Sequence, residues 1–151
     1  NTTGYGVIDP SDRGPRLVEA GVVKSTSSRS LAARIREIHE GVVEVIHAAR
    51  PTVLAMEKLY SHYERPTTAI LMGHARGAIC LAAAQAEIEV HDYAATRVKK
   101  LLTGNGRAPK MQMQETIRRE FGLAAAPEPA DVADALAIAL CHFYQMRTVA
   151  L

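Results

Sequence analysis

The sequence predicts an α/β domain with a central mixed sheet flanked by helices. Three observations carry that prediction. Two β-type runs separated by turn residues open the chain, strand-length apolar runs then alternate with runs of helical period, and no repeat or low-complexity linker divides the 151 residues. A hairpin pairs its strands antiparallel, whereas a strand–helix–strand succession pairs them parallel, so both directions are expected in one sheet. The length suits one domain, residues 1–151.

The elements follow from local chemistry. Gly4-Tyr5-Gly6-Val7-Ile8 reads as a strand ending at Asp9-Pro10, and residues 11–15 (SDRGP) carry turn chemistry. Arg16 to Lys24 then pairs back as the second arm of a hairpin. A serine within Ser27 to Ser30 can cap a helix whose apolar residues Leu31, Ile35, Ile38, Val42 and Val45 or Ile46 recur every three to four positions, as far as about Arg50. After Pro51, Thr52-Val53-Leu54-Ala55-Met56 suits a strand buried on both faces, and it stops at a charge, Glu57. Thr67 to Ala86 is alanine-rich and reads as a helix whose small residues allow close packing. Ile88 to Tyr93 is the next strand, Ala94 to Leu102 a helix, and 103–109 a glycine-bearing loop. Pro109 suits the first turn of a helix that runs to about Phe121, where Gly122 stops it. A last helix runs from Asp131 to about Met146.

Composition excludes some classes of function. With 48% hydrophobic and 23% charged residues the chain can bury a core and is not a disordered binder. No stretch reaches about 18 consecutive apolar residues and no signal pattern opens the chain, so neither a membrane partner nor export is expected. Cys80 and Cys141 lie in alanine-rich apolar runs without metal-ligand spacing and read as small buried hydrophobes. Reduced thiols of that kind fit a cytoplasmic location.

The carboxylates are the sharper signal. Glu37, Glu40, Glu44, Glu115 and Glu120 read as members of solvated helix faces. Glu57 instead stands at the C-terminal end of a predicted central strand, where α/β sheets place ligands. Asp131 and Asp134, three apart, share one face of a helix whose next six residues are apolar. Taken singly, Asp131 could be an N-cap and Asp134 a first-turn acid. As a set, buried carboxylates need pairing or a cation, and hard oxygen donors suit Mg²⁺ or Mn²⁺. Two such ions can activate a water and stabilise the leaving oxygen of a phosphodiester.

The basic residues are also grouped. The net charge is only +2, yet residues 94–114 hold Arg97, Lys99, Lys100, Arg107 and Lys110 and no acid. A surface of one sign is the footprint of a phosphate partner, with a solvated helix face as the plainer alternative. Tyr60 and Tyr63 lie in a polar stretch just after Glu57, where exposed rings can stack on bases or wedge a junction.

Four motifs in this order, Thr3-Gly4-Tyr5-Gly6-Val7-Ile8, Ala55-Met56-Glu57, Gly73-His74-Ala75-Arg76-Gly77 and the run from Ala130 to Ala139 (ADVADALAIA), resemble the RuvC family of Holliday-junction resolvases over essentially the whole chain. The resemblance implies an RNase H-like fold, a homodimer, and Mg²⁺-dependent symmetric nicking of four-way junction DNA with two ions per active site. It places Glu57, Asp131 and Asp134 in catalytic and metal-binding roles and Lys99 and Lys110 beside the centre. Tyr60 falls where the family carries a junction-entering aromatic, usually Phe. His74 replaces a Gln common in its motif. Branch-migration proteins are implied as further partners.

The front of the chain departs from the pattern. Family members begin with a strand bearing Gly-Ile-Asp-Pro-Gly, whose Asp is a metal ligand, and here that strand would precede Asn1. Asp9 is no substitute, because it follows the Gly-Tyr-Gly strand and belongs at the turn end of the hairpin. The expectation is therefore that Asn1 is a break, that the 151 residues alone are inactive or poorly folded, and that restoring the preceding residues gives an active nuclease. A catalytically incomplete module that binds DNA structure is the alternative, and a related nuclease acting on RNA is a third reading. The small-residue helix over 67–86 is the expected dimer face.

Overall fold

The computed structural model describes residues 2–59 and 65–150, with nothing stated of the side chains of residues 149 and 150. Strand β1 (Thr2–Ser11) and strand β2 (Gly14–Lys24) form an antiparallel hairpin. Ser11 pairs with Gly14, so the turn is tight, and Gly14 adopts φ 114°, a conformation that costs a glycine little. The strand continues through Asp9 and Pro10 instead of stopping there. Asp9 pairs with Arg16 across the ladder and forms an ion pair with it at 3.1 Å. A bulge between Val7 and Ile8 resets the register midway.

Helix α1 (Leu31–Ala49) starts at Ser30, whose hydroxyl accepts from the Ala33 N–H, and ends at Arg50 in the left-handed conformation. Strand β3 (Val53–Glu57) and strand β4 (Glu89–Tyr93) are joined by helix α2 (Pro66–Gln85) and pair parallel, Glu57 opposite Tyr93. Helix α3 (Ala95–Thr103) stops on Gly104 at φ 80°. Helix α4 (Lys110–Glu120) has Pro109 as its N-cap, one place before the expected first turn, and helix α5 (Ala130–Ala150) begins one residue before Asp131.

Both pairing directions are present, as the order of elements predicts. Among the described residues four strands stand as two ladders, β1–β2 and β3–β4, and not as one continuous sheet, and β1 and β3 each pair on one edge only. Both β1 and β3 line a cavity of about 1090 Å³. Its other walls include the apolar stripe of α1 (Ile35, Ile38, Val42, Val45, Ile46) and the α5 residues Asp131, Asp134 and Ile138.

Helix α5 organises the core. Leu136, Leu140 and Cys141 are fully buried against Val98 of α3, Met113 and Ile117 of α4 and Tyr93 of β4, with Ile8, Leu17 and Ala55 packed around them. Cys141 is the buried hydrophobe expected, and Cys80 is half-buried with its thiol directed at the Met56 sulfur. Glycine in β1 makes the close approach of α5 possible. A Cβ on Gly4 would lie 2.1 Å from the Asp131 carbonyl oxygen, and one on Gly6 would lie 2.4 Å from Leu136 Cδ2. The Gly-x-Gly spacing thus clears one face of the strand for the first two turns of the helix.

Candidate functional site

Asp131 and Asp134 are set by that seat. Asp131 lies in the first turn of α5, inside the helix and not at its cap, where a negative charge meets the positive end of the helix dipole. The Thr2 hydroxyl of β1 donates to its Oδ2 at 2.9 Å, a contact across 129 residues of sequence. Asp134 is one turn further along.

Glu57 reaches the same place from the other ladder. Side chains alternate along a strand, so Glu57 shares a face with Ala55, and Ala55 packs against the α5 core. Met56 and its partner Asp92 occupy the opposite face, beside α2. Glu57 and Asp134 both border the cavity and both retain solvent access. Even so, the surrounding protein pushes the Glu57 carboxyl above its ordinary range by desolvation, and the neighbouring charge of Asp134 adds to the rise. Desolvation likewise raises Asp134; Asp131 adds to that rise, while Lys110 and Lys99 oppose it. Lys99 also draws Glu57 down.

Three carboxylates from two elements and two lysines from α3 and α4 therefore share one electrostatic neighbourhood. All three acids are hard oxygen donors, and the charge of Asp134 disfavours ionisation of Glu57 as that of Asp131 does for Asp134, so the set fits a hard divalent cation in type. Among the described residues no three His, Cys, Asp or Glu side chains close into a single ligand cluster. The acids line an open site instead of a finished cage.

The remaining predicted residues fall out as follows. Arg97 is engaged with Gln145 of α5, its guanidinium donating at 2.5 Å. Lys100 lies on α3, and Arg107 lies in the following loop, where the Asn105 side chain accepts from its backbone N–H at 2.9 Å. Asp9 is at the turn end of the hairpin, paired with Arg16, while Thr2 at the strand's other end touches Asp131. Tyr60 and Tyr63 lie outside the described residues. Two contributors escaped the sequence reading of the site. Thr2 precedes the Gly-Tyr-Gly run, and Arg76 lies inside the Gly73-His74-Ala75-Arg76-Gly77 motif, where no spacing marks its contact with the Glu57 strand.

An α/β domain with carboxylates gathered at a strand end and a facing helix, and lysines beside them, defines a phosphodiester-cleaving nuclease class. The family model of crossover junction endodeoxyribonuclease RuvC matches residues 1–142. A crossover junction endodeoxyribonuclease RuvC of Rhodopirellula baltica is 58% identical over 146 residues, covering 95% of this chain and 81% of the relative. The solved structure of Thermus thermophilus RuvC superposes with a TM-score of 0.89 at 36% identity, over 97% of this chain and 90% of that one. The same protein in complex with its Holliday junction substrate also matches with a TM-score of 0.89 and 36% identity, over 96% and 88% of the two chains. The chain belongs to the RuvC family of crossover junction endodeoxyribonucleases, with the RNase H-like fold. As a member of that family it is an endodeoxyribonuclease.

Proposed function

We propose that residues 1–151 form one nuclease domain in which Glu57, Asp131 and Asp134 hold the catalytic metal and nick the strands of a four-way DNA junction symmetrically. The family's metal dependence sets the class of cofactor; Mg²⁺, with Mn²⁺ as substitute and two ions per site, suits the three hard donors. The observation that carries this reading is that Glu57 on β3 and Asp131 and Asp134 on α5 border one cavity, although Glu57 and Asp134 stand 77 residues apart in sequence.

Bound metal would activate the attacking water and stabilise the leaving oxygen. The chain's own residues do the rest. Lys99 and Lys110 offset the charge of the acids and give the scissile phosphate a positive counterpart. Thr2 fixes one oxygen of Asp131 and leaves the other to bind. Arg97, Lys100 and Arg107 extend the basic surface along which the phosphate backbone runs, and Tyr60 enters the junction.

A four-way junction offers two equivalent strands, so two copies of the site are needed. Helix α2 is the proposed homodimer face: Ile70 is 60% and Leu81 53% exposed, and only Ala78, Ala82 and Ala83 of the helix are buried. By length and composition α2 could also span a bilayer, but the ion pair of Arg76 with Asp92 ties it to the β3–β4 ladder. The enzyme works in the cytoplasm, with branch-migration proteins as partners.

The test is nicking of a synthetic four-way junction by the full-length protein in Mg²⁺. Glu57→Gln, Asp131→Asn and Asp134→Asn should each lose at least about 100-fold in rate, more than is typical of removing a residue behind a metal ligand, while still binding the junction in EDTA. Unchanged cleavage would remove the acids from the mechanism. Binding by the unaltered full-length protein that never yields a nick would make it a binding module.

A further inference from the structure

Arg76 lies on α2, on the far side of the β3–β4 ladder from the acids. Its guanidinium nevertheless reaches the end of the strand that presents Glu57. One nitrogen, Nη1, donates to the backbone carbonyl of Glu57 at 2.5 Å. The other, Nη2, donates to Asp92 Oδ1 at 2.6 Å, in an ion pair whose arginine side chain is 21% exposed. Asp92 stands opposite Met56, one residue before Glu57. One planar group therefore clamps the last two rungs of the ladder together, from side chain on one strand to main chain on the other.

The strand end needs such a clamp. Glu57 is the last residue of β3, and beyond it the ladder adds only the Lys58 N–H donating to the Tyr93 carbonyl at 2.8 Å. The Glu57–Lys58 peptide unit is planar, so the Lys58 N–H bond to Tyr93 anchors one side of it and the Arg76 bond to the Glu57 carbonyl anchors the other. The carbonyl lies in the plane of the ladder and the side chain stands off it, so holding the carbonyl holds the backbone root from which the Glu57 carboxylate projects. A lysine could keep the charge but not both bonds, since it lacks the fork of a guanidinium.

We propose that Arg76, held by Asp92, is a positioning residue for Glu57: it aims the Glu57 carboxylate at Asp134 through the backbone, without itself touching metal or DNA. The proposal rests on the reading of Glu57 as a metal ligand. It also makes α2, the proposed dimer helix, the support of the active-site strand.

The test is titration of Mn²⁺ alone into the whole chain, followed by calorimetry, with junction nicking as a second readout. Arg76→Gln and Arg76→Lys should each weaken Mn²⁺ binding about tenfold, the effect usual for residues that orient metal ligands, and Asp92→Asn should do so by a smaller factor in the same direction. In nicking, kcat should fall with the KM for junction unchanged, because a residue that acts only by aiming Glu57 changes the metal site and not the hold on DNA. Combining Arg76→Gln with Asp92→Asn should cost no more than Arg76→Gln alone. If Arg76→Lys and Asp92→Asn fold and lower the melting temperature while Mn²⁺ affinity and kcat stay at the unaltered values, Arg76 is structural only and the proposal is overturned. Glu57→Gln is the control for the reading beneath it. If that variant binds Mn²⁺ normally, the metal-ligand assignment fails; if it loses Mn²⁺ and the Arg76 variants do not, only the positioning role fails.

Discussion

Helices α2 and α5 are similar in length and both alanine-rich, yet the fold treats them oppositely. In α5, Leu136, Leu140 and Cys141 are wholly buried, and the helix sits close enough on β1 that glycine is required beneath it. In α2, Ile70 and Leu81 stand out in solvent and the buried residues are three alanines. The difference is in what each helix serves. Burial holds α5 still, so the acids of its first two turns have a fixed place; the apolar residues left uncovered on α2 are the surface proposed above to meet a second copy of the chain. Composition alone does not distinguish these roles, because a core helix and an interface helix need the same residues.

The comparison can be broken most severely at β1. Gly4→Ala should destabilise the domain by about 3 kcal/mol or more in urea unfolding, since its methyl would meet a backbone carbonyl that cannot rotate away. A loss below about 1 kcal/mol would mean that α5 is not seated as tightly as described. The counterpart on α2 is Leu81→Arg, where the side chain is exposed in the single chain. Sedimentation should then show dimers replaced by monomers, with the monomer's stability altered by no more than about 0.5 kcal/mol. A monomer–dimer balance that does not respond would move the interface elsewhere.

The smallest effect expected is a gain. Glu57 and Asp134 have raised pKa values in the folded chain, so the native state binds protons more readily than the unfolded one. Their contribution to metal-free stability therefore rises as pH falls from neutrality through the raised folded values towards the ordinary carboxylate range, and is lost at higher pH. Glu57→Gln and Asp134→Asn should accordingly raise the melting temperature at neutral pH without metal. Because both groups retain solvent access, screening limits each gain to about 0.5 kcal/mol. Lowered melting temperatures would show that the acids are stabilising pairs and not a cation site waiting for charge.

Much of this was legible in the sequence, and for physical reasons. The apolar stripe of α1, the strand before Glu57 and the turn residues at Gly14, Gly104 and Gly122 act through near neighbours, so they could be read directly, although Val53 to Met56 are half-buried along the cavity and not buried on both faces as expected. The pairing of Asp131 and Asp134 on one helix face follows from a three-residue spacing. Asp9 was correctly placed at the turn end of the hairpin, because an antiparallel register fixes which strand end is which. What stayed hidden depends on contacts between distant residues. The Thr2 to Asp131 bond and the grip of Arg76 on Glu57 leave no local period to detect. The separation of the strands into two ladders is likewise a property of lateral pairing, which no single strand's composition reveals.

The central claim is that Glu57 and Asp134, carried on different elements, act as one site. The most direct measurement is junction nicking by Glu57→Gln, Asp134→Asn and the two combined, in Mg²⁺ under single-turnover conditions. Groups that act as a unit are not additive, so the double variant should be no slower than the slower single one. A double variant whose loss is the product of the two single losses would mean that the acids act independently, and would contradict the account.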